Sequence, residues 1–174
     1  MNAELTGEYP FLNDGGQMGE LTRAFDWSAT TIGSSGTWPT SLRTTVSLIL
    51  TSKFPMLLWW GPEMIQIYND AYRPAYRPAF GFGEGGKHPA ALGQRAKDCW
   101  SETWSIIEPL INQVWTTGEA TWSEDQHILI NRNGRTEDTY WIFSYSPVRI
   151  ESGQIGGILV VCTETTDKAN TLTL

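Results

Sequence analysis

Tyr140-Trp141-Ile142-Phe143-Ser144-Tyr145-Ser146-Pro147, then Glu151-Ser152-Gly153, then Ile155-Gly156-Gly157-Ile158-Leu159-Val160-Val161-Cys162 is the stretch that decides the fold. Its first run sets Trp141, Phe143 and Tyr145 against Ile142, Ser144 and Ser146, the period of two expected of a strand with one buried face. Asn133-Gly134 before it and Glu151-Ser152-Gly153 after it are turn signals. The second run is continuously apolar and leads into an abrupt polar exit, Glu164-Thr165-Thr166-Asp167-Lys168. Two long antiparallel strands that deliver the chain to a charged segment suit a sensor handing a signal onward.

Working outward, Thr121 to Ile130 reads as the preceding strand, and Met56–Trp60 with Met64–Tyr68 reads as a hairpin across Gly61-Pro62-Glu63. Trp104 to Thr117 carries Ile107, Leu110, Ile111, Val114 and Trp115 on one helical face. Gly118 is placed to end that helix, and Pro109 to kink it or mark its true first turn. Met18–Trp27 and Ser41–Ser52 are shorter amphipathic helices. Pro74, Pro78 and Pro89 limit the segment between 71 and 98 to short helical turns, and its tandem Ala71-Tyr72-Arg73-Pro74, Ala75-Tyr76-Arg77-Pro78 reads as a local extension. The expectation is an α+β domain, a five-stranded antiparallel sheet with helices on one face and an N-terminal helical extension. Phe25, Trp27 and the helix from Ser41 are expected to cover the other face or to pack in a dimer.

A chain of 174 residues, 40% hydrophobic and 18% charged, fits one soluble domain with a substantial core. Net charge is −7, and no Lys/Arg stripe exists, so nucleic acid is not an expected partner. The longest apolar run, Phe54–Trp60, contains Pro55 and is far too short to span a bilayer, and no signal peptide is visible. Cys99 and Cys162 are expected to be reduced and buried, and the protein cytoplasmic.

Several local signatures resemble the PAS sensor domain. Asn69-Asp70-Ala71-Tyr72 is similar to the Asn-x-Ala-aromatic step after the second PAS strand, and Thr117-Gly118-Glu119 to the Gly-Glu before the third. Ser146-Pro147-Val148-Arg149, Gly153 and Gly156-Gly157 resemble the fourth strand, turn and fifth strand. Glu164-Thr165-Thr166 stands where many PAS domains end in Asp-Ile-Thr. Met18-Gly19-Glu20-Leu21, Phe25-Asp26-Trp27-Ser28, Trp38-Pro39, Phe54-Pro55-Met56 and Trp59-Trp60-Gly61-Pro62-Glu63 resemble the opening of PAS modules at the N-terminus of bacterial sensor histidine kinases. The resemblance implies a PAS-like fold, with an arm and helical extension over 1–52, the sensor over 53–168 and the start of an output linker over 169–174. It implies signal transduction in a two-component system, dimerisation, and a downstream kinase or similar output. No phosphoacceptor helix or ATP lid follows residue 168, so an isolated input domain or an adaptor is expected.

Strand alternation proposes a helix-covered, pocket-facing set: Leu57, Trp59, Ile65, Ile67, His127, Leu129, Trp141, Phe143, Tyr145, Leu159 and Val161, with Gln66 pointing away. This aromatic set suits a small, flat organic ligand, or simply a filled core. His127 could bond a ligand or titrate as a switch, or be an exposed strand histidine. Glu164, Thr165 and Thr166 form the proposed relay, the carboxylate pairing with a basic partner to pin the outgoing linker, or fraying as a polar end. Two distant histidines and no Cys-x-x-Cys leave no expected metal site. Haem through His127 and flavin chemistry at Asp98-Cys99-Trp100 have no supporting motif, and Gly81–Gly86 lacks the residues of a phosphate loop. Glu124-Asp125 and Glu137-Asp138 point to opposite faces and cannot act as acid/base pairs. A sensory module without catalysis follows. The alternatives are a small cone-shaped α+β enzyme, which would need an inward carboxylate, and a structural dimerisation module.

Overall fold

Ser123–Arg132 (β3), Arg135–Arg149 (β4) and Ile155–Glu164 (β5) pair antiparallel, and Met56–Trp60 (β1) joins β5 on its free side with Ile65–Tyr68 (β2) beyond it. The sheet order is β2-β1-β5-β4-β3, the expected five antiparallel strands. This computed structural model describes residues 10–72, 87–132 and 134–166. Asn133, the second Ala-Tyr-Arg-Pro copy, the glycine-rich run at 81–86 and the exit from residue 167 onward lie outside the described residues.

Among the described residues there are four α-helices: Gly16–Ala24 (α1), Thr40–Thr51 (α2), Ala96–Cys99 (α3) and Trp104–Thr117 (α4). α4 spans the expected residues with Pro109 inside it, and it buries Ile107, Ile111 and Val114. Gly118 ends it in the left-handed conformation, φ 72°, its N–H donating to the Val114 carbonyl at 2.9 Å. Burying three such branched side chains contributes on the order of 5 kcal/mol, well above what helix propensity supplies.

The N-terminal helices dock through Asn69 and Asp70. The buried Asn69 amide donates to the carbonyls of Ile49 (3.0 Å) and Phe54 (2.7 Å), at the end of α2 and beyond it. Its oxygen accepts from Met56 N (3.1 Å) and Tyr72 N (3.2 Å), so one side chain joins α2, β1 and the turn at Asp70–Tyr72. Asp70 caps α1 from a distance, accepting from Gln17 N at 3.1 Å and Met18 N at 2.8 Å. α2 packs across β1 and β2, with Leu42, Val46, Ile49 and Leu50 buried. The N-terminal extension therefore shares one core with the sheet, including Met18, Trp27 and Trp38.

Candidate functional site

A cavity of about 40 Å3 lies between the sheet and the segment holding α3 and the start of α4. The sheet supplies Trp59 from β1, Ile128 and Ile130 from β3, Trp141, Phe143 and Tyr145 from β4, and Val160 and Cys162 from β5. Tyr72, Trp100, Thr103 and Ile107 close it from the helical side. Trp59 meets Tyr145 edge-on with ring centroids 5.2 Å apart, and Phe143 lies 4.9 Å from Tyr145.

The strand register places the expected residues unevenly. Trp59, Trp141, Phe143 and Tyr145 are in the wall, and Leu57, paired with Val160, faces the same way. Ile65, Ile67, Leu159 and Val161 face the other way, because they sit opposite Trp60, Leu58 and Met56 of β1 rather than Trp59 and Leu57. Both faces of these strands are covered, so apolarity carried no information about side. His127 and Leu129 are also corrected. Ser123 pairs with Phe143 but Gln126 pairs with Trp141, so β3 spends an extra residue at a bulge where Asp125 takes φ 48°. The bulge inverts the phase downstream, sending Ile128 and Ile130 inward and His127 and Leu129 to the solvent face. There His127 Nε2 lies 2.7 Å from Asp138 Oδ1, and Leu129 is 43% exposed.

Gln66, expected to point away, is fully buried toward the cavity side. Its Oε1 accepts from two indoles, Trp59 Nε1 at 3.0 Å and Trp100 Nε1 at 2.8 Å, and its Nε2 donates to the Ala91 carbonyl at 3.0 Å. One amide thus fixes two tryptophans of the wall. Lys87 also holds Trp100: its ammonium lies over the ring, 5.2 Å from the centroid, 2.8 Å from the Glu102 carboxylate, and donates to the Cys99 carbonyl at 2.8 Å.

The titratable groups at the wall are held neutral. Burial pushes the Tyr72 and Tyr145 phenols well above their ordinary range. Burial pushes the Cys162 thiol up to about 12 and the nearby Cys99 thiol up to about 11. At about pH 8 neither thiol should react with iodoacetamide in the folded chain, whereas both should react in denaturant. The folded pKa values exceed the ordinary 9.0, so the stabilisation is complete below pH 9 and is lost as pH rises toward 12. Urea midpoints should therefore fall through that window. Among the described residues no cluster of three or more His, Cys, Asp or Glu could hold a metal ion.

Two residues past the cavity, β3 and β5 meet in an ion pair. Arg132 binds Glu164 through two bonds of 2.9 Å and reaches Glu137 at 2.7 Å, with the Arg132 and Glu164 side chains 6% and 9% exposed. Burial alone would lower the arginine pKa, but the hydrogen bonds and charges of Glu164 and Glu137 outweigh it and hold it raised. Thr166 Oγ1 donates to Glu164 at 2.5 Å and accepts from Tyr140 N at 3.1 Å. Thr165 N donates to the Tyr140 carbonyl at 2.6 Å, and its hydroxyl donates to Asp125 at 3.0 Å. Outside the expected pocket set lie Tyr72, Trp100, Thr103, Ile107, Ile128, Ile130, Val160 and Cys162 of the wall, with Gln66 and Arg132 beside it; of these Tyr72 carried a signal, in the Asn-Asp-Ala-Tyr step.

No curated protein matches this chain. An RNA-binding light-oxygen-voltage receptor shares the fold at TM-score 0.51 and 18% identity over 78% of this chain, which spans only 36% of that receptor. The PAS domain of a protein from Colwellia psychrerythraea superposes at TM-score 0.50 and 16% identity, covering 72% of this chain and 98% of that one. The PAS domain of BvgS from Bordetella pertussis is 20% identical, with TM-score 0.46 over 76% of this chain and 91% of that one. The model of the PAS fold family matches residues 69–170. That match starts at Asn69 and takes in α4 and strands β3 to β5 of the cavity wall, and the chain belongs to the PAS fold family.

Proposed function

We propose that the chain is a sensory input module that reads a small ligand or a partner at its cavity and relays the change past Thr166 to a downstream histidine kinase or similar output, with no catalysis of its own. PAS domains are signal-sensing modules, and the single observation that carries the reading is the short path from wall to exit. Val160 and Cys162 line the cavity and Glu164 follows on the same strand; Ile128 and Ile130 line it and Arg132 follows on theirs. A shift of either strand in the wall must pull on a buried, bidentate ion pair.

In this reading residues 53–168 form the sensor, 1–52 its covering extension, and 169–174 begin the output linker. The solvent face of β3, with its exposed Leu129, offers a surface for a homodimer. The enzyme alternative is disfavoured because no carboxylate stands among the described wall residues. A cytoplasmic location agrees with two unpaired, buried cysteines, and no helix among the described residues is long and apolar enough to cross a membrane. Joined to the phosphoacceptor and catalytic segments of a histidine kinase, the chain should set the autophosphorylation rate, and Glu164→Gln should change that rate several-fold. A chimera whose rate ignores Glu164→Gln would count against the relay.

A further inference from the structure

We infer that the cavity takes a small neutral molecule with one hydrogen-bonding group, for which the Thr103 hydroxyl is the polar anchor; this rests on the sensory reading above. The described wall contains no charged side chain. An ionic ligand would leave its hydration behind with no counter-charge to meet it, so carboxylates, phosphates and ammonium compounds are disfavoured.

Thr103 supplies the polar contact. It is 3% exposed and lies in the wall, and its Oγ1 has no hydrogen-bond partner among the described residues. Thr103 is also the residue that caps α4, where a threonine hydroxyl ordinarily accepts an N–H of the first turn, yet it makes no such bond. Of the other polar groups at this end, Gln66 is engaged by two indoles and a carbonyl and Tyr72 with the Cys162 thiol, while the Tyr145 hydroxyl shares the wall. A buried hydroxyl without a partner is disfavoured unless something else satisfies it, and a carbonyl or hydroxyl of a bound molecule would do so. The volume, about 40 Å3, sets the size at a few heavy atoms.

Acetone, acetate and isobutene share one shape and differ in polarity and charge, and they serve as probes. Binding to the 15N-labelled full chain is read at the indole N–H signals of Trp59, Trp100 and Trp141. Acetone should move these signals saturably, and acetate at the same concentration should not. Thr103→Val should weaken acetone by about five- to tenfold while leaving isobutene unchanged, and Thr103→Ser, which keeps the hydroxyl, should restore acetone binding. If acetate binds as well as acetone, or Thr103→Val leaves acetone affinity unchanged, the ligand class is wrong and the sensory reading stands. If neither acetone nor isobutene moves any indole signal, the cavity is no ligand site, and ligand sensing falls with the inference.

Discussion

Gln66→Leu should destabilise the fold by about 4 kcal/mol, the largest single-residue effect expected within this core. The substitution nearly preserves volume, so the cost is not a cavity. It takes from the buried Trp59 and Trp100 indole N–H groups the acceptor they share, and from the Ala91 carbonyl one of two donors, the Gln94 N–H at 3.2 Å remaining. Each orphaned group costs about 1–3 kcal/mol, and partial relaxation toward neighbours keeps the total below the full sum. For a chain of this size the melting temperature should fall by roughly 8–16 °C. Double variants identify the cause. With Trp59→Phe and Trp100→Phe already in place, adding Gln66→Leu should cost much less than it does alone. Equal costs in both backgrounds would mean that Gln66 acts by packing.

Glu164→Leu should cost about 3 kcal/mol, measured by urea denaturation. Removing one member of a buried pair usually costs about 3–5 kcal/mol because the partner charge is left uncompensated. Here Arg132 keeps Glu137 at 2.7 Å, which places the effect at the lower end. Replacing both charges, Arg132→Met with Glu164→Leu, should recover much of the loss, since Glu137 retains Arg135 at 3.0 Å. Recovery of stability without recovery of kinase control in the chimera would separate the pair's proposed mechanical role from its contribution to folding.

The sequence was legible where one face of a strand differs from the other. In β4 the aromatic residues alternate with smaller ones, so Trp141, Phe143 and Tyr145 read as one face, and that face lines the cavity. In β2 and β5 both faces are covered, so Ile65-Gln66-Ile67 and the run from Ile158 to Cys162 carry no phase of their own. Gln66 misled because a polar residue reads as outward, whereas two tryptophans distant in sequence satisfy it. β3 failed for a different reason. Counting by twos from Ser123 puts His127 and Leu129 inside, and the bulge at Asp125 inverts that count. Trp100 and Thr103 sit on short helical turns that leave no period to read. A basic partner for Glu164 was expected from charge alone, but its identity as Arg132 depends on two strand registers acting together.

The proposed relay requires wall and exit to move as one, and hydrogen exchange at the Thr165 amide reports that motion. This amide donates to Tyr140 at 2.6 Å, beside the ion pair and outside the cavity. Val160→Ile adds one methyl group at the wall. It should slow exchange at Thr165 about threefold or more, and the same change in a Glu164→Gln background should have no effect there. If Val160→Ile alters the Trp59 and Tyr145 signals while Thr165 exchanges as before, the wall does not drive the exit and the claim is wrong.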